Sequence, residues 1–179
     1  MENIKRIGRT LVHKGSVIDL YDDEMILPDG TVKHYDFIKH NGASCVIPVL
    51  PDGRIVMVKQ YRNALDRYTY EIPAGKRDSS EEDYMECAVR ELKEETGFEA
   101  EFIEQLLVIN TTVAFCDEII YVYYAKIDDK KGLQHLDDDE YIDVCPMEME
   151  TLENMIYSGE LKDAKTVAAI LAYKNKYLK

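Results

Sequence analysis

The run Arg90-Glu91-Leu92-Lys93-Glu94-Glu95-Thr96-Gly97-Phe98 crowds acidic side chains into one short stretch. On a helix advancing about 100° per residue, Glu91, Glu94 and Glu95 project from one side, because they lie three and four residues apart. Left alone, each close pair of like charges costs about 0.2–0.5 kcal/mol on an exposed helix. A hard divalent cation turns that repulsion into attraction, and magnesium favours carboxylates together with water and phosphate oxygens. The chemistry implied is cation-assisted work on a phosphorylated compound. The competing reading is a solvated acidic helix face, the usual fate of a charge cluster. Two features weigh against it: Arg90 can pair with the carboxylates and hold them, and Gly75 and Gly97 bracket the segment where tight backbone turns are needed.

The helix that must carry these groups spans Glu81 to Thr96, with Met85, Ala88, Val89 and Leu92 as its apolar stripe. Ser80 is its expected N-cap, and Gly97 ends it where a left-handed residue is favoured. Residues 4–40 alternate apolar and polar positions around the turn Pro28-Asp29-Gly30, which predicts a small antiparallel sheet. Ala43–Leu50, the turn Pro51-Asp52-Gly53 and Arg54–Gln60 predict a hairpin. Tyr68–Ile72, Phe98–Asn110, Glu118–Ile127 and Tyr141–Cys145 read as further strands. Met147–Ser158 and Asp163–Tyr177 read as helices split by Gly159, and Asp128–Glu140 as a long acidic loop. This order of elements predicts an α+β fold, helices flanking a mixed sheet, with residues 1–40 forming the N-terminal sheet and 41–179 the main domain.

Composition narrows the function. A chain of 179 residues holds one domain, or one domain and a small appendage. The net charge of -13 repels polyanions, so nucleic acid is a poor partner. Small phosphorylated substrates are opposed by the same field unless cations bind first and invert the local sign. Cys45, Cys87, Cys116 and Cys145 show no paired spacing, which fits buried thiols in a reducing compartment better than zinc ligands or disulfides. The first twenty residues lack a secretory pattern, and the longest apolar runs fall short of the roughly 20 residues that span a bilayer. A cytoplasmic protein with no membrane partner is expected.

The segment from Gly75 to Phe98 resembles the Nudix box, and Arg90 to Phe98 matches it at every defined position. The first half departs, because fourteen residues separate Gly75 from Arg90, one more than the usual pattern. Either Glu81 or Glu82 can stand for the first glutamate; Glu82 is favoured by its helical distance to Arg90, the extra residue being absorbed in the preceding loop. The resemblance implies a Nudix-like α/β/α sandwich. It also implies Glu91 and Glu95 as principal metal ligands, Glu94 and the Ala74 carbonyl as further ligands, and Arg90 as organiser of the carboxylates. The implied cofactor is magnesium, with manganese as the alternative.

Flanking residues narrow the resemblance. Val58-Lys59-Gln60-Tyr61-Arg62, Tyr70-Glu71-Ile72-Pro73-Ala74-Gly75 and Gly159-Glu160-Leu161-Lys162-Asp163-Ala164-Lys165-Thr166 are similar to ADP-ribose pyrophosphatases. That subfamily implies hydrolysis of ADP-ribose to AMP and ribose 5-phosphate. Within it, Arg62 is the candidate pyrophosphate contact, against a plain surface ion pair. Glu71 is the candidate bond to substrate or to a neighbouring subunit's arginine, against an ordinary polar strand residue. The general base should be an acid on a loop that closes over substrate. The loop Leu136-Asp137-Asp138-Asp139-Glu140-Tyr141-Ile142 resembles the one that supplies it, with Glu140 the first choice and Asp138 the second. Tyr35 falls where related enzymes offer an aromatic to a partner's adenine, which implies a homodimer with exchanged N-terminal sheets. One departure remains: Asn110-Thr111-Thr112-Val113-Ala114-Phe115-Cys116 stands where the subfamily usually has a Ser-Pro-Gly-like turn. Alternative substrates are therefore another nucleotide sugar or a dinucleotide such as NADH, FAD or a diadenosine compound. The alternative class is a nucleotide-binding sensor without catalysis.

Overall fold

In a computed structural model, residues 4–15, 18–138 and 140–178 are described. The chain divides into two compact units, Met1–Gly42 with Asn110–Ile119, and Ala43–Ile109 with Ile120–Lys179.

The first unit is a meander of β1 (Lys5–Lys14), β2 (Asp19–Ile26) and β3 (Val32–Lys39), paired antiparallel in that order. Its second turn is the Pro28-Asp29-Gly30 triplet: the Asp29 side chain accepts from the Thr31 N–H at 2.9 Å, and Gly30 takes the positive φ of 83°. Asp23 is buried in the sheet, and Arg9 grips it through Nε and Nη2 at 2.5 and 2.6 Å. Residues 110–119 join this unit through the Ile38 N–H, which donates to the Phe115 carbonyl at 2.7 Å, and the His40 N–H, which donates to Asp117 at 2.8 Å.

In the second unit β4 (Ala43–Val49) is buried along its whole length, as expected of an apolar run covered on both faces. It pairs in parallel with β9 (Ile119–Ile127) and antiparallel with β5 (Ile55–Arg62) and the short β7 (Ala74–Lys76), so the sheet is mixed. The order is β10-β5-β4-β9-β8, where β8 is Ala100–Asn110 and β10 is Ile142–Met147, with β6 (Arg67–Glu71) on β5. Alternation along β4 sorts the core into two layers. Cys45, Ile47 and Val49 pack with Leu152, Ala169 and Ile170 of α2 (Met149–Ser158) and α3 (Ala164–Tyr177). Val46 and Leu50 pack with Ala88 and Leu92 of α1 (Tyr84–Thr96). The expected α/β/α sandwich with its small antiparallel sheet is borne out.

Several boundaries differ from the sequence reading. Asp83, not Ser80, caps α1, accepting from the Met85 and Glu86 N–H groups at 2.8 and 3.3 Å. Met85 and Val89, expected in the stripe, are exposed; the buried side is Cys87, Ala88, Leu92, Glu95 and Thr96. β7 was read as a turn, because three residues around a glycine carry no alternation. Among the described residues no helix is long and apolar enough to cross a membrane.

Candidate active site

The centre is the contact of α1 with β7. A Cβ on Gly75 would lie 1.9 Å from the Glu91 Oε1, so only glycine lets this backbone meet that carboxylate. One helical turn on, Glu95 accepts the Ala74 N–H at 2.9 Å.

Arg90 gathers the other acids. Its Nε donates to Glu82 at 2.9 Å and its Nη1 to Glu91 and Glu94 at 2.7 and 3.0 Å, while Nη2 reaches the Lys76 carbonyl at 3.2 Å. Of the two candidates for the first glutamate, Glu82 is the one on Arg90, and its other oxygen accepts the Asp78 N–H at 2.7 Å. Glu81 points to Ser80 instead.

Burial and charge set the electrostatics. Glu95, only 3 % exposed, is pushed up to about 8 by burial, against the Ala74 N–H, with the charges of Glu91 and Glu140 adding to the rise. Glu91 is raised to about 7, again mainly by burial, although Arg90 opposes it; Glu94 and Glu140 push further. The Glu140 charge is therefore felt by both helix carboxylates. Its backbone N–H donates to the Asp137 carbonyl at 3.0 Å, and Asp138 lies exposed at the turn.

Do these groups suit a divalent cation? Their chemistry does, since all are hard oxygens and the Glu91 and Glu95 carboxyls are both pushed up by burial despite the Arg90 contact to Glu91 and the Lys165 charge on Glu95. Their present arrangement is not a finished cage: among the described residues no three acidic, His or Cys side chains close on one point. Glu91 and Glu94 are drawn instead to Arg90.

A second network lies beside the first. Arg62 donates through Nε and Nη2 to the two oxygens of Glu71, both at 2.7 Å, and Thr69 and Lys165 donate to the same carboxylate at 2.6 and 2.5 Å. Lys165 also meets Asp163 at 2.9 Å, and Asp163 caps α3 through the Thr166 N–H. Burial pushes Glu71 up, but the Arg62 and Lys165 contacts outweigh it and hold it at about 2. A cavity of about 540 Å³ opens here, lined by Arg62, Leu65, Arg67, Thr69, Lys162 and Lys165 among others. Lys165 was not singled out from sequence; its only signal was its place in the stretch Asp163-Ala164-Lys165-Thr166. Tyr35 belongs to the first unit, where it is half exposed and lines a cavity of about 440 Å³ with Phe37, Val113 and Phe115.

An α/β/α sandwich that sets a glycine-backed, arginine-bound group of glutamates on one helix defines a class of phosphate-bond hydrolases. The NUDIX domain model matches residues 39–170, and the chain belongs to the Nudix family as a Nudix hydrolase. It is 38% identical to an ADP-ribose pyrophosphatase of Bacillus subtilis over 93% of this chain and 90% of that protein. It is 37% identical to a methanol dehydrogenase activator of Bacillus methanolicus, with the same coverage of 93% and 90%. Among solved structures, a crystal structure of an ADP compounds hydrolase superposes with a TM-score of 0.84, covering 98% of this chain and 94% of that one. At 17% identity that likeness speaks for the fold alone.

Proposed function

We propose that this Nudix hydrolase cleaves the pyrophosphate bond of a nucleoside-diphosphate compound, with ADP-ribose as substrate and AMP and ribose 5-phosphate as products, in a magnesium-dependent reaction. The observation that carries the reading is the pair Glu91 and Glu95, half-buried and buried, pressed against Ala74-Gly75 and bordered by Arg90. Similarity to the Bacillus subtilis pyrophosphatase supports the substrate.

Glu91 and Glu95, with Glu94 and the Ala74 carbonyl, are the groups that would hold magnesium, or manganese in its place. A metal held there would supply charge neutralisation for the phosphates and a lowered pKa for a water. Arg90 keeps Glu82, Glu91 and Glu94 in register. Glu140, or failing it Asp138, accepts the proton of the attacking water. The water oxygen bonds to one phosphorus, the bridging P–O bond breaks, and the bridging oxygen departs with the other phosphate. Arg62, whose Nε and Nη2 are engaged by Glu71, offers Nη1 to the pyrophosphate.

Incubation with ADP-ribose and magnesium chloride, followed by chromatography, should yield AMP and ribose 5-phosphate. Glu95→Gln should abolish turnover and leave the circular dichroism spectrum unchanged; full activity in that variant ends the proposal. A phosphatase-coupled screen over nucleotide sugars, dinucleotides and triphosphates ranks the alternatives, and tight ADP-ribose binding without product would favour a sensor.

The working form we propose is a homodimer in which residues 1–40 are exchanged and Tyr35 stacks on the partner's adenine. Exposed Ile4, Ile7 and Val12 in the first unit, at 58%, 55% and 61%, support it, and light scattering on the eluted protein tests it. The relative named as a methanol dehydrogenase activator favours a second reading, in which the site serves a dehydrogenase. A rise in the steady-state rate of an alcohol dehydrogenase on adding the purified chain would support that reading, and an unchanged rate would refute it.

A further inference from the structure

The acidic loop is fastened to the catalytic helix at that helix's own C-terminal end. The last carbonyls of a helix have no partner within it. In α1, two of them are met by the loop: the His135 N–H donates to the Glu94 carbonyl at 2.9 Å, and Gln134 Nε2 donates to the Glu95 carbonyl at 2.6 Å. Just beyond, the Gly132 N–H donates to the Gly97 carbonyl at 2.8 Å. Gly97 has to be glycine for this, since its φ is 76° and a Cβ there would sit 2.5 Å from the Gly132 carbonyl oxygen.

Gln134 does one thing more. The same Nε2 donates to the Ile142 carbonyl at 3.2 Å, at the start of β10. With both contacts being carbonyl oxygens, the amide nitrogen must face them, so the orientation of this side chain is fixed by its partners. Ile142 is held in turn by its pairing with Gln60 on β5. One half-buried amide therefore ties together the backbone of a helix carboxylate and the strand that follows Glu140 by two residues. Glu140 itself is held within the loop, where its carboxylate accepts the Asp137 N–H at 3.4 Å.

The geometry points to Gln134 as a positioning residue that sets the Glu140 carboxylate against the Glu91 and Glu95 pair. This inference rests on the proposed reading of Glu140 as the base. Gln134 touches neither substrate nor the reacting atoms; it acts through the Ile142 carbonyl, two residues beyond Glu140. A methionine of similar length keeps the packing and loses both donors.

The test is a double-mutant cycle in the full chain, with ADP-ribose and saturating magnesium. Gln134→Met should lower kcat about tenfold with KM changed by less than about twofold, a split that general loosening of the fold does not produce. In the Glu140→Gln background the same change should bring no further loss of kcat, because the group it positions has already lost its function. A Gln134→Met loss that multiplies fully with that of Glu140→Gln overturns the inference, as does wild-type kcat in Gln134→Met. If Glu140→Gln itself keeps wild-type kcat, the assignment of the base fails and this inference falls with it. If Glu140→Gln is inactive and Gln134→Met is normal, only the positioning role is lost.

Discussion

Removing the charge of Glu71 should destabilise the protein by an amount that depends steeply on pH. In the folded chain its carboxyl lies at about 2 against an ordinary value of 4.5, because the Arg62 fork and Lys165 outweigh the cost of burial. That difference corresponds to about 3 kcal/mol of folding free energy. The side chain is only 5 % exposed, so solvent screening takes little from it. The sign is that of a depressed acid. Its stabilisation is fully present above the unfolded value of 4.5 and is lost as pH falls through about 2. At pH 3 the ionised folded form still gains on the unfolded one, but by only about 1 kcal/mol. Glu71→Gln also leaves Lys165 with Asp163 alone and Arg62 without its partner, and breaking a buried pair from one side costs about 3–5 kcal/mol. Urea unfolding in EDTA at pH 7, 4 and 3 should show the gap between wild type and Glu71→Gln at about 3 kcal/mol or more at neutral pH, narrowing by about 2 kcal/mol at pH 3. A gap that stays constant with pH refutes the reasoning, because the contribution would then be packing and not charge.

Gly75→Ala should lower kcat about 10²-fold, the order expected for a misplaced catalytic group, since the added Cβ displaces the Glu91 carboxylate from a point 1.9 Å away; circular dichroism should be unchanged. Arg90→Lys keeps the charge but cannot span Glu82, Glu91 and Glu94 with one rigid fork, so kcat should fall and not be restored by raising magnesium. Asp83→Ala removes the α1 cap and should cost about 1 kcal/mol by urea unfolding, whereas Ser80→Ala should cost little.

The carboxylate helix was legible because its signals are local. Arg90 to Gly97 lie within two turns, and their side-chain geometry follows from helix periodicity alone. The start of that helix was not. Ser80 and Asp83 are both good caps by type, and the choice is made by Arg77, whose guanidinium donates to the Glu82 carbonyl at 2.6 Å and to that of Ser80, holding the segment before Asp83 out of the helix. Gln134 and Lys165 were hidden for a related reason. Their partners lie 39 and 94 residues away, at Glu95 and Glu71, and no spacing rule reaches that far. Glu71, read as a bond to substrate or to a neighbouring subunit's arginine against an ordinary polar strand residue, also meets Arg62, Thr69 and Lys165 of its own chain.

Glu71 and Glu95 show how a single sheet edge sorts carboxylates. Both are almost wholly buried, at 4% and 3% exposure, and both belong to the layer around β6, β7 and α1. Burial alone would push each of them toward the neutral form. Glu71 is gripped directly by two cations and is driven down to about 2, whereas for Glu95 burial and the charges of Glu91 and Glu140 outweigh the Ala74 N–H and the charge of Lys165, and it is driven up to about 8. The chain thus already supplies the countercharge for Glu71. For Glu95 it supplies none of comparable strength. A cation from outside the chain would favour the anion there, and the hard-oxygen surroundings suit a divalent one.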